Sequence, residues 1–116
     1  MDLPGKVFGI DGRIRYCAVL DEMGRTVSGG MRPGTQSLEP DEEAQKVDLQ
    51  MAVIRGMTEA ARGYLGGTNY VIIHREKLML LAIPVNKRTI LISAQPDFPL
   101  ERVRDLIRIA KEVPQP

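Results

Sequence analysis

Few residues in this chain have types and spacing suited to chemistry. The first candidates lie in Gly29-Gly30-Met31-Arg32-Pro33-Gly34, just before a helical pattern. Glycines let backbone N–H groups approach an anion, Arg32 can pair a phosphate or carboxylate, and a helix start adds a favourable dipole. Gly29, Gly30 and Arg32 therefore form a candidate binding set for a small anionic ligand. The spacing matches neither the phosphate-loop pattern nor the dinucleotide fingerprint, and Asp41, Glu42 and Glu43 place negative charge at the same helix start. The competing reading is a turn whose glycines satisfy backbone geometry. His74 is the single histidine and Cys17 the single cysteine. Together they fall short of the four ligands of a tetrahedral metal site, so no metal and no cofactor is expected. Ser28, Ser93 and Cys17 could serve His74 as nucleophiles, and none sits in a nucleophile-elbow sequence. No catalytic residue is expected.

The elements that would position these residues are legible. The 116 residues make one domain, 1–116, with a frayed tail at 113–116. A chain of this length buries roughly 65% of its unfolded surface. With 16 basic and 15 acidic residues the net charge is +1, which argues against a nucleic-acid module. One cysteine precludes an internal disulfide. The longest apolar run, 78–83, is too short to span a bilayer, and the N-terminus lacks a signal-peptide pattern, so a cytoplasmic protein is expected.

Tyr70 to Gln95 holds three apolar runs joined by Arg75-Glu76-Lys77 and Asn86-Lys87-Arg88. Such short connections permit only antiparallel neighbours, so this is a three-stranded meander. Its runs are apolar at successive positions, which means both faces are covered. Pro84 is expected to end its strand. Upstream, 15–21 and 25–28 read as a hairpin. A helical turn is expected around 4–9, and a helix from about Pro40 to Leu65, with Ser37 or Glu39 as cap and Gly66-Gly67 as the stop. A last helix, about 99–112, buries Val103, Leu106, Ile107 and Ala110, with Asp97 as its cap. The expected fold is α+β in three α-β-α layers. Strand 15–21 lies beside 89–94, giving a five-stranded antiparallel sheet of order 2-1-5-4-3. The long helix covers one face and the terminal helices the other.

The long helix has one polar face, Gln45, Asp48, Arg55, Glu59 and Arg62. Val47, Met51, Ile54, Ala61 and Leu65 form one apolar edge, and Leu49, Val53, Met57, Ala60 and Tyr64 another. A helix on a sheet needs an apolar arc of roughly 100°; here the arc is nearly twice that. The excess predicts a further cover, another helix of the same chain or a partner chain; the preferred reading is a homodimer or protein partner met through Leu49, Val53, Met57, Ala60 and Tyr64 with Tyr70 and Ile72 of the edge strand.

This order of elements resembles the roadblock, longin and profilin-like folds. A closer resemblance, to small uncharacterised proteins of ammonia-oxidising archaea, rests on Ile14-Arg15-Tyr16-Cys17-Ala18-Val19, Gly24-Arg25, Gly29-Gly30-Met31-Arg32 and Arg75-Glu76-Lys77. The chain departs from them at Pro4 and Gly5, where they look more helical. The resemblance implies no enzyme activity. It implies a non-catalytic domain that dimerises through its long helix and an edge strand, or scaffolds a protein partner. The alternative is the anionic-ligand sensor built on Gly29–Gly34.

Overall fold

The computed structural model describes residues 2–35 and 41–112, with side chains of the second stretch described from residue 50 onward. The elements run α1 (Leu3–Phe8), β1 (Ile14–Leu20), β2 (Thr26–Met31), α2 (Asp41–Glu59), α3 (Arg62–Leu65), β3 (Val71–His74), β4 (Met79–Val85), β5 (Arg88–Ala94) and α4 (Val103–Glu112), the last preceded by a 3-10 turn at Leu100–Arg102. The strands form one antiparallel sheet in the order β2-β1-β5-β4-β3, which is the expected topology. Ser37, Glu39, Pro40 and the 113–116 tail lie outside the described residues.

Strand alternation sorts the core into two layers. Cys17, Val19, Leu81, Ile83, Ile90 and Ile92 face α1 and α4, meeting Leu3, Val7, Val103, Leu106 and Ala110. Ala18, Leu20, Leu80, Ala82 and Leu91 face the other way, onto Met51 of α2, with Ile54 half-buried beside it. Ile14 breaks the parity, because an even-numbered residue sits among the odd-numbered Cys17 and Val19. The cause is an irregular register: Ile14 opposes Ala94 while Tyr16 opposes Ser93, which leaves Arg15 as an extra residue in β1.

Several boundaries differ from expectation for local reasons. The N-terminal helix forms despite Pro4 and Gly5. Asp2 caps it, accepting the Gly5 N–H at 3.0 Å, Pro4 occupies the first turn, and Leu3 and Val7 bury one turn apart. Strand β2 continues through Gly29 to Met31. Strand β4 continues past Pro84 to Val85. Val85 opposes Arg88 across a two-residue turn, so alternation puts Pro84 at a non-hydrogen-bonded site opposite Thr89. Its missing N–H therefore faces the β3 side, where pairing has already ended at Val71 opposite Ala82. Asp97 does not cap the last helix. That end begins as a 3-10 turn after Pro99, without a side-chain cap.

The long helix is also shorter than expected. It stops at Glu59, and a separate turn, α3, follows. Leu65, expected on the same apolar edge as Met51 and Ile54, is 77% exposed. The sheet beneath explains this. Arg55 reaches the β4–β5 turn, donating Nη1–H to Thr89 Oγ1 at 3.2 Å and Nη2–H to the Asn86 carbonyl. Beyond Arg55 the helix has run off the end of the sheet. Arg55 is thus not part of a solvated polar ladder, whereas Glu59 and Arg62 do pair, at 2.8 Å.

Candidate functional site

The glycine-arginine segment is a strand followed by a structural clamp. Gly29 and Gly30 lie in β2, opposite Ala18 and Cys17 of β1. Gly29 has φ +94°, and a Cβ there would stand 2.2 Å from the Cys17 carbonyl oxygen and 2.7 Å from the Ala18 Cα. Only glycine fits, for reasons of chain packing. The Arg32 guanidinium donates Nε–H to the Ile14 carbonyl at 2.6 Å, and its Nη2 donates to those of Phe8 at 2.6 Å and Asp11 at 2.7 Å. It also lies over the Phe8 ring, 4.9 Å from the centroid. These contacts join the end of α1 to the start of β1. The charge that suggested a ligand is directed at three main-chain oxygens of the chain itself.

A second cluster, missed in the sequence, continues this clamp. Asp11 accepts the Arg13 N–H at 2.8 Å and pairs with Arg102 at 3.1 Å, while Arg13 Nη1–H donates to the Asp97 carbonyl at 2.8 Å. The Asp11-Gly12 step marks a turn in the sequence, but nothing local points to a partner 91 residues away.

His74 and the hydroxyls do not assemble into a catalytic set. His74 ends β3, exposed, with Nε2 2.8 Å from the Pro96 carbonyl, so Nε2 carries the proton. Strand parity puts its side chain on the α1–α4 side with Ile72, whereas Ser93 lies on the α2 side with Leu91. Cys17 is fully buried, and burial, reinforced by the negative charge of Asp2, pushes its thiol up to about 12. Such a thiol is not a nucleophile at neutral pH. Among the described residues no group of His, Cys, Asp and Glu is arranged to hold a metal ion, and no helix is long and apolar enough to cross a membrane.

The remaining candidate is a surface. Val53 is 54% exposed, Met57 71%, Tyr64 84% and Tyr70 49%, and Ala60 is exposed with them. Leu49 belongs to the same expected set, and its side chain lies outside the described residues. Ile72 departs from it: its side chain is half-buried against the α1–α4 layer, on the face of the sheet away from α2. What β3 offers outward is its main-chain edge. The two sheet edges differ in how that row is guarded. In β2 the register slips between Val19 and Leu20, leaving Val27 extra, and Gly29 adds a positive φ. Both features distort an edge and discourage further pairing. Strand β3 pairs in unbroken register from Val71 to His74 and is apolar through Ile73.

No family model matches the sequence, and no curated protein is significantly similar to it. Solved structures are similar in fold. The gliding protein MglB of Thermus thermophilus superposes with a TM-score of 0.76 at 16% identity, covering 95% of this chain and 81% of that one. An MglB with a tetrameric arrangement gives 0.71 at 17% identity, covering 93% and 85%. A Roadblock/LC7 domain from Streptomyces avermitilis gives 0.68 at 12% identity, covering 94% and 88%. The chain has the fold of the roadblock and MglB-type proteins.

Proposed function

We propose that this chain is a non-catalytic, cytoplasmic roadblock-type domain that works by self-association, through the exposed face of α2 and the neighbouring β3 edge. The observation that carries the reading is the pair Val53 and Met57, left open to solvent on a helix whose opposite side, at Met51, is buried, with Tyr64 of α3 exposed beyond them. Large apolar side chains gathered on one face mark contact surfaces in soluble proteins. The unguarded edge of β3 adds main-chain donors and acceptors. The similarity to an MglB with a tetrameric arrangement supports a second copy as the first partner to test. A protein of another sequence on the same face is the alternative occupant.

Light scattering from micromolar to hundreds of micromolar protein tests this directly. The expected result is a concentration-dependent dimer, converted to monomer by Val53→Glu or Met57→Glu with the far-UV spectrum and melting temperature preserved. A wild-type monomer throughout that range rejects self-association. Loss of the fold in both variants would instead assign these residues to the core.

A further inference from the structure

We propose that the break between α2 and α3 is a hinge, and that residues 41–65 close into one continuous helix when a second copy covers the exposed face. This rests on the self-association reading above. The break falls at Ala60 and Ala61, residues of the best helix-forming type, with no proline between Asp41 and Leu65. Its geometry is a small slip. Ala60 N–H donates to the Met57 carbonyl at 3.2 Å and Tyr64 N–H to that of Ala61 at 3.3 Å, both at three-residue spacing. Leu65 N–H, bonded to the same Ala61 carbonyl at 2.9 Å, returns to four-residue spacing. Ala61 itself has φ −96° and ψ 11°, a modest rotation from helical values.

Three local causes favour the slip in an isolated copy. Thr58 Oγ1–H donates back to the Arg55 carbonyl at 2.7 Å, a contact that bends helices. The Glu59 carboxylate holds Arg62 at 2.8 Å and accepts the Thr68 N–H at 3.4 Å, drawing the following chain back. The hydrogen bond to Arg62 is the main cause that holds the Glu59 carboxyl below its usual range. Third, the sheet ends under Arg55, so the segment after it has propensity without packing, and short helices depend on packing. A partner would supply what is missing. At 100° per residue, a continuous helix brings Val53, Met57, Ala60 and Tyr64 within about 60° of one another. In the broken state Tyr64 and Leu65 are instead the two most exposed large apolar side chains described.

The full chain with Ala61→Pro tests the hinge. Proline removes one N–H and is excluded from a helix interior, whereas at Ala61, the residue that opens α3, it asks only a shift of φ from −96° towards about −65°. The expected result is unchanged melting and self-association weakened at least about tenfold. In parallel, the carbon-13 Cα shifts of Ala60 and Ala61 in the wild type should move to helical values between dilute and associated samples. If Ala61→Pro associates as tightly as wild type, or those shifts stay fixed while the protein associates, the hinge is overturned and self-association stands. If the wild type never associates, both fall. Should the proline variant fail to fold, the wild-type shifts alone decide.

Discussion

The two faces of the sheet are built to different standards. On the α1–α4 side, two short helices close over large aliphatic side chains from all four of β1, β3, β4 and β5, and Arg32 and Asp11 tie the helix ends to the strands. On the α2 side, among the described residues, the sheet buries Ala18, Leu20, Leu80, Ala82 and Leu91, and α2 meets them through Met51 and Ile54. The first face is a finished core. The second buries one side of its helix and leaves Val53 and Met57 outside. Under the self-association proposed above, the open side of α2 is the surface that a second copy would cover.

That contrast can be broken by experiment. The largest effect should come from Leu81→Ala, a fully buried position of the finished face: a stability loss of about 3 kcal/mol in chemical denaturation. A loss under about 1 kcal/mol would mean that this face is loosely packed. Arg32→Ala should follow at about 2 kcal/mol, because three main-chain carbonyls each lose a charged donor. If melting is unchanged and binding of an anion such as phosphate is lost instead, Arg32 is a ligand residue and not a clamp.

Cys17 probes the same layer through pH. Its thiol is raised from an ordinary 9.0 to about 12 in the folded chain. Between these values the unfolded state has lost its proton and the folded state keeps it, so stability falls as pH rises. The contribution is whole below pH 9, has dropped by about 1 kcal/mol near pH 10, and continues down towards pH 12. Cys17→Ala should flatten this alkaline slope in denaturant melts; an identical slope in both proteins would show that Cys17 is not shielded. The smallest effect belongs to the open face. Met57→Glu should shift the stability of the isolated copy by less than about 0.5 kcal/mol, however strongly it changes association. A larger loss would place Met57 in the core and remove the contrast.

The fold was largely legible because its signals are local. Apolar runs with short charged connections fixed three antiparallel strands, and their successive apolar positions required cover on both faces. The site was legible only in part. The over-wide apolar arc of the long helix pointed to Val53, Met57 and Tyr64, and these are exposed. Ile72 is expected at the interface because it lies on the edge strand, yet strand parity turns its side chain to the face of the sheet away from α2. Gly29, Gly30 and Arg32 suggested an anion because that composition is shared by ligand loops and by close-packed backbone. Only the distances to Cys17, Phe8, Ile14 and Asp11 separate the two.

The order of the elements, the two-sided burial of the sheet and the excess apolar girth of the helix were determined by the sequence alone, since each is a periodicity of neighbouring residues imposed by backbone sterics. Tertiary structure decided the extra residue at Arg15 that turns Ile14 inward, the extension of β2 through Gly29, the long-range partners of Arg32 and Asp11, and the place where α2 stops. Each of these depends on a surface supplied by residues far along the chain. A helix continues only where something lies beneath it, and an arginine is spent only when a distant carbonyl comes within reach.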